Sequence, residues 1–118
     1  MPDEPLSDEV LVIRGGLMAL VTLRQALETA HAFFGFYGLS FYGDNGLSFD
    51  QVCFEAQLRH GRVRVSSVER LRHLGHEPIR SGRFPHLSVR FELAPTDDDL
   101  EALVGVFDPD VSNPHPVD

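Results

Sequence analysis

Short stretches of alternating hydrophobic and polar residues recur along the chain, separated by turn residues and by segments with helical spacing. The clearest alternation, HLSVRFEL, runs over residues 86–93 and is typical of a half-buried strand. Residues 62–66 alternate in the same way, residues 10–14 are apolar on both faces, and residues 36–42 are rich in aromatic side chains. With a short extended piece at 78–80, these segments predict the strands of a sheet.

Four other segments have the apolar spacing of short helices. Each opens with a hydroxyl residue that can form a capping box with the side chain three positions later: Thr22 with Gln25, Ser48 with Gln51, Ser66 with Glu69, and Thr96 with Asp99. The first helix carries the longest stripe that we expect to face the core: Leu23, Ala26, Leu27, Ala30, Phe33 and Phe34. The predicted element order is β-α-β-α-β-α-β-β-α.

This order predicts a single two-layer α+β domain, in which a small mixed sheet carries about four short helices packed mainly on one face. We expect the domain to span residues 9–108. Residues 1–8 and 109–118 are rich in proline and aspartate, which predicts loose tails. No apolar run reaches the ~18 residues needed to cross a bilayer, and residues 1–9 lack the basic start of a signal peptide. We therefore expect a cytoplasmic protein with no membrane partner.

Charge is strongly segregated along the chain. All ten basic residues are arginine, and eight of them lie between Arg59 and Arg90 with only two of the eighteen acidic residues, Glu69 and Glu77. Although the formal net charge of the whole chain is −8, a local cluster of guanidinium groups can bind phosphate on an acidic protein. The sequence therefore predicts an anion-binding surface in this segment.

Polar residues of two strands are predicted to lie side by side on a helix-free face of the sheet: His86, Ser88, Arg90 and Glu92 from one strand, and Arg62 and Arg64 from the other. In metal-independent phosphodiester chemistry, a histidine or glutamate transfers protons while arginines hold the phosphate. We therefore assign catalytic roles to His86, Glu92 and Ser88. Phosphate binding is assigned to Arg62, Arg64 and Arg90, and this chemistry needs no metal and no other cofactor.

These features favour a small ribonuclease of the size and layout of bacterial toxin–antitoxin toxins. Such a protein would act on RNA or a nucleotide, and an antitoxin would be its protein partner. A different class of function is also compatible with the charge pattern. In a non-enzymatic interaction module, the arginine face would bind an acidic partner or the acidic tails of the chain itself.

A second enzymatic hypothesis comes from three separated residues. Arg14 ends the first predicted strand, Ser40 lies in the second, and Glu92 lies in the last. This arrangement is similar to that of ADP-ribosyltransferases. The resemblance implies NAD binding at Arg14, Ser40 and Glu92, with the glutamate orienting the ribose.

Metal and thiol chemistry are not expected. The single cysteine, Cys53, excludes an internal disulfide and a multi-cysteine zinc site, and its position predicts a buried structural thiol. His73 and His76 straddle a predicted helix end at Gly75, so they would not share a helical face as zinc ligands.

Overall fold

Strands and helices alternate along the chain in the order that the hydrophobic pattern predicts. The computed structural model describes residues 4–117. Its elements are β1 (Leu11–Gly15), α1 (Leu20–Phe34), β2 (Tyr37–Tyr42), α2 (Phe49–Ala56), β3 (Arg62–Ser67), α3 (Val68–His73), β4 (Ile79–Arg80), β5 (His86–Phe91), α4 (Asp97–Gly105) and β6 (Val111–Ser112). The nine predicted elements are present, and β6 follows them.

The strands form one sheet in the order β4-β5-β2-β1-β3-β6, and each neighbouring pair is antiparallel. The predicted single α+β domain is confirmed, although the sheet is antiparallel throughout and not mixed. β2 and β5 pair over six positions, from Tyr37 opposite Phe91 to Tyr42 opposite His86. β1 and β2 share one registered pair, Ile13 opposite Tyr42, so the centre of the sheet is held mainly by its flanking pairs.

Three helices cover one face of the sheet, as the prediction of helices mainly on one face requires. α1, α3 and α4 contribute buried side chains to this larger core: Leu23, Leu27, Val68, Leu71, Leu100 and Leu103. The sheet meets them with Val12, Leu39, Phe41, Leu87 and Val89. Burial of this apolar surface is the dominant favourable contribution to folding.

The second face of the sheet is not free of helices. α2 buries Val52 and Cys53 against Ile13 of β1 and Val63 of β3, and Leu58 completes this smaller core. Both faces of β1 are therefore covered, which accounts for its apolar residues on both sides.

Two of the four predicted capping boxes are confirmed. Ser48 and Gln51 bond reciprocally at the start of α2, and Thr96 and Asp99 do the same at the start of α4. Each pair satisfies two amide groups that the helix itself leaves without partners.

The other two capping boxes are wrong. α1 begins at Leu20 after Ala19, so Thr22 lies inside the helix and caps nothing. α3 begins one residue later than predicted, because Ser67 is the N-cap and its hydroxyl accepts a helix amide. Ser66 points inward, where its hydroxyl donates to a carbonyl of the loop after α4.

The apolar stripe of α1 reaches the core only in its first turns. Leu23 and Leu27 are fully buried, whereas Phe33 is 78% exposed and Phe34 is 71% exposed. Leu93, at the end of the alternating segment 86–93, is also exposed because β5 ends at Phe91. The predicted burial of Phe33 and Phe34 is wrong.

The segment after α4 differs from the loose tail that its composition predicts. β6 pairs with β3, and the buried Asn113 donates through Nδ2 to the carbonyl oxygens of Leu58 (3.1 Å) and His60 (2.9 Å). Within residues 4–117, no helix has the length and apolar character needed to cross a bilayer.

We expect Leu27→Ala to lower the free energy of unfolding by about 2–5 kcal/mol, because it removes a fully buried side chain and leaves a cavity. The matched control is Phe33→Ala on the same helix, which should change stability by less than about 0.5 kcal/mol because that ring is exposed. Urea unfolding measures both values. A larger loss for Phe33→Ala than for Leu27→Ala would mean that the wrong face of α1 is buried.

Candidate functional site

The three arginines assigned to phosphate binding do not share a surface. Strand register places Arg64 opposite Arg14 on the side of the sheet that carries the larger core, and Arg62 lies on the same side of β3. Arg90 lies on the opposite side, together with His86. The predicted single surface is therefore wrong. The predicted alternation within each strand is correct. However, α2 buries Val63 on the second face of the sheet, so Arg62 and Arg64 of β3 lie on the face that carries the larger core.

Most of the clustered arginines already bind the chain itself. Their guanidinium groups contact carboxylates or carbonyl oxygens, mainly of the two terminal segments: Arg62 with Asp110, Arg64 with the carbonyls of Phe107 and Asp108, Arg70 with Asp108, Arg72 with Asp8 and Glu77, and Arg80 with Asp44 and the carbonyl of Glu4. Among the described residues, only the guanidinium groups of Arg59, Arg83 and Arg90 have neither a hydrogen bond nor an ion pair.

His86 is the centre of the remaining polar cluster. Its Nε2 lies 2.9 Å from Oγ of Ser40, and its Nδ1 lies 3.0 Å from both the carbonyl oxygen and Oγ of Ser81. A carbonyl oxygen can only accept, so the Nδ1 hydrogen bond requires a proton on that nitrogen. In the neutral ring Nε2 is then an acceptor, and the hydroxyl of Ser40 donates to it.

The local sequence holds His86 in this position. The Ser81 amide donates to the His86 carbonyl (3.2 Å) and the His86 amide donates to the Arg83 carbonyl (2.9 Å), which closes a tight turn before β5. Gly82 in this turn has a φ of +59°, a conformation that favours glycine, and a side chain there would meet the His86 ring. The edge of the His86 ring also packs against Tyr42, with 5.4 Å between the ring centroids.

Two clefts meet at His86. The larger, of about 580 Å³, lies between this turn and α2, and its polar lining consists of Tyr42, Glu55, Gln57, Arg83 and His86. The smaller, of about 500 Å³, lies on the other side of the turn and includes Asp44, Arg80 and Ser81. Both volumes are in the range of small-molecule sites.

Two of the assigned catalytic residues are not beside the reactive edge of His86. Ser88 is buried, and its Oγ lies 2.6 Å from Oγ of Ser81, so it supports the turn. Glu92 follows β5 six residues after His86, which is about 20 Å along an extended strand. It borders a separate cleft with Arg90 and Phe36, so the expected pairing of Glu92 with His86 is wrong.

The three residues of the ADP-ribosyltransferase-like arrangement do not converge. Arg14 donates to the main-chain carbonyl of Ser40 (2.7 Å), and its guanidinium lies over the ring of Phe41 on the larger-core side of the sheet. The Ser40 side chain points to the other side, toward His86. Glu92 lies beyond the far end of β5. Burial lowers the pKa of the Arg14 guanidinium, and Tyr42 partly opposes this effect.

An ion pair borders the smaller cleft. Arg80 contacts Asp44 through NH2 (2.8 Å) and Nε (3.0 Å), and only 13% of the Asp44 side chain is exposed. The hydrogen bond from Arg80 holds the pKa of the Asp44 carboxyl below its usual value, although partial burial opposes the shift.

The predicted buried position of Cys53 is confirmed. Its thiol is enclosed in the smaller core, where burial and the nearby Asp50 raise its pKa to about 11. It is therefore a poor nucleophile at neutral pH. Across residues 4–117, no three His, Cys, Asp or Glu side chains form a group that could hold a metal ion.

Sequence reasoning found His86 but missed its partners. Ser40 was assigned to a different site, and Arg83 and Tyr42 were not assigned at all. The predicted turn at Ser81-Gly82 was a usable signal, because a turn just before β5 keeps Arg83 close to His86 in space. Ser40 could not be linked to His86 without the register of β2 on β5.

Comparison of the chain with protein-family models, curated proteins and solved structures returned no match.

We expect Asp44→Asn to lower the free energy of unfolding at pH 7 by about 1–2 kcal/mol, because it removes a charged acceptor from Arg80. A depressed pKa stabilises the fold above the unfolded-state value of about 4, and this stabilisation is lost as pH falls through the folded-state pKa. The difference in free energy of unfolding between the wild type and Asp44→Asn, measured with urea, should therefore become smaller below about pH 4. Glu101→Gln, an exposed control, should show no such narrowing, and an unchanged gap for Asp44→Asn would contradict the assignment.

Proposed function

We propose that this protein is a metal-independent enzyme that cleaves phosphodiester bonds in nucleic acid, with His86 as the proton-transfer group and Ser40 as the nucleophile. The observation that carries the proposal is the Ser40 Oγ–His86 Nε2 contact of 2.9 Å on an exposed part of the sheet. A nucleophile, a base in contact with it, and a third group that orients the base are the usual signature of an activated hydroxyl. Here the Ser81 carbonyl is the orienting group.

The chemical step follows from the protonation state of the ring. His86 Nε2 takes the hydroxyl proton of Ser40 as Oγ forms a bond to phosphorus. The bond from phosphorus to the leaving oxygen breaks, and that oxygen receives the proton from Nε2. Water then attacks phosphorus while His86 Nε2 takes its proton. The bond from phosphorus to Ser40 Oγ breaks, Oγ receives that proton from Nε2, and a phosphate monoester is released.

The larger cleft provides groups suited to an anionic substrate. Arg83 lines it beside His86 and has no ion-pair partner among residues 4–117, so its guanidinium is available to contact a phosphate oxygen. Tyr42 packs against the His86 ring and limits its rotation. Glu55 lies in the same cleft and replaces Glu92 as the candidate for a second acid or base.

We expect His86→Gln to lower the rate of phosphodiester cleavage by about a hundredfold to ten-thousandfold, the range for loss of a general acid–base group. Ser40→Ala should lower the rate at least as much, because it removes the attacking oxygen. The assay is hydrolysis of bis(4-nitrophenyl) phosphate and of a fluorescent RNA in the presence of EDTA. Glu92→Gln should retain the wild-type rate on bis(4-nitrophenyl) phosphate, since this carboxylate lies far from His86. Equal loss with Glu92→Gln, or wild-type rates with Ser40→Ala, would contradict the proposed site.

A covalent probe tests the nucleophile without a nucleic-acid substrate. Diisopropyl fluorophosphate should phosphorylate Ser40 with release of fluoride, and mass spectrometry should locate the adduct on that residue. The adduct should be absent from the His86→Gln protein, because the base that activates the hydroxyl is missing. Labelling of other serines to the same extent would contradict activation of Ser40.

The toxin role and its antitoxin partner remain predictions. If the protein cleaves cellular RNA, overproduction should arrest growth of a bacterial host. The Ser40→Ala protein, produced at the same level, should not arrest it.

A further inference from the structure

Arg90 lies on the same face of the sheet as His86 and is part of a stack of planar groups. The Arg90 guanidinium sits 4.2 Å from the centre of the Phe36 ring, and Phe34 stacks on Phe36 with 5.8 Å between ring centroids. We call Phe34, Phe36 and Arg90 the aromatic stack. Phe36 lies close over Gly38, where a side chain would come within 2.9 Å of the ring.

From this arrangement we propose that the aromatic stack binds unpaired bases of single-stranded nucleic acid and holds the strand that enters the His86 cleft. The inference names the substrate class of the site proposed above and rests on that function. Aromatic rings and arginine planes are the groups on which splayed bases stack, and this recognition tolerates any base sequence.

The exposure of the stack supports a ligand of this chemistry. Phe34 is 71% exposed and the neighbouring Phe33 is 78% exposed, although each offers a large apolar surface. Arg90 is exposed and, among residues 4–117, has no carboxylate partner. A surface that combines exposed rings with an uncompensated guanidinium is complementary to bases joined by phosphates.

The position of the stack connects it to the cleft. Arg90 and His86 lie four residues apart on β5 with side chains on the same face, a distance of about 13 Å along the strand. Ser40 lies between them on β2, opposite Ser88. At the other end of this path, Arg83 provides a second guanidinium that has no partner in the described part of the chain. An extended strand would therefore cross Ser40 between two cationic contacts.

The test is fluorescence anisotropy of a labelled single-stranded oligonucleotide of about 10 nucleotides with the full chain carrying Ser40→Ala, so that binding is measured without cleavage. Phe34→Ala and Arg90→Ala, each added to this chain, should weaken binding by about fivefold to hundredfold, the effect of losing one stacking contact. Arg90→Ala should also flatten the salt dependence.

Two exposed residues outside the aromatic stack provide matched controls. Phe54→Ala removes an exposed phenylalanine of α2, and Arg59→Ala removes an exposed arginine that also lacks a partner among the described residues. Neither belongs to the aromatic stack, so both should leave binding unchanged. A duplex of the same length should bind more weakly than the single strand, because its bases are not free to stack.

Several results would overturn the inference. They are absence of binding, equal losses in the stack and control variants, equal affinity for the duplex, and a change of oligomeric state with Phe34→Ala in place of a binding defect. The last would identify a self-association surface.

Failure of the proposed enzymatic function can be distinguished from failure of the strand-binding inference. Strand binding that depends on the stack, without cleavage of any phosphodiester, supports the inference and contradicts the enzyme. Cleavage of RNA that is unaffected by Phe34→Ala supports the enzyme and contradicts the inference.

Discussion

The pairing of β2 with β5 is the constraint on which both the core and the candidate site depend. Its six registered positions place Phe41 opposite Leu87 and Leu39 opposite Val89 in the larger core. The intervening positions place Ser40 opposite Ser88 on the other face. A slip of one residue would turn every side chain of one strand to the wrong face, so the buried pairs fix the position of the polar ones. The Ser40–His86 contact is therefore a consequence of core packing.

The charge segregation of the sequence has a structural explanation that does not need an external anion. Arg62, Arg64 and Arg70 bind the segment that follows α4, while Arg72 binds Leu6 and Asp8 before β1. Several of these bonds go to main-chain carbonyl oxygens, which a planar guanidinium can reach in pairs. Carboxylates within residues 4–117 thus form ion pairs with four of the eight clustered arginines: Arg62, Arg70, Arg72 and Arg80.

The sequence was sufficient to predict the fold class and the element order, because short amphipathic segments with strong turn signals permit few other arrangements. The capping boxes of α2 and α4 were also readable, since each depends on residues three positions apart. The sequence did not show which side chains of different strands share a face of the sheet. Alternation orders the side chains of one strand, and only the placement of α2 on the second face determined that Arg64 and Arg90 would separate. Helical spacing also predicted burial of Phe33 and Phe34, but both rings are exposed because the sheet and the other helices do not extend over the end of α1.

The proposed activity depends on one hydrogen-bond arrangement: the Ser40 hydroxyl donates to His86 Nε2 because the Ser81 carbonyl fixes the proton on Nδ1. Nitrogen-15 NMR of the imidazole measures this directly, since a protonated ring nitrogen and an acceptor nitrogen have well separated chemical shifts. In the neutral ring of the wild-type protein we expect a single tautomer with the proton on Nδ1. A ring protonated on Nε2, or an averaged signal from two exchanging tautomers, would contradict the account.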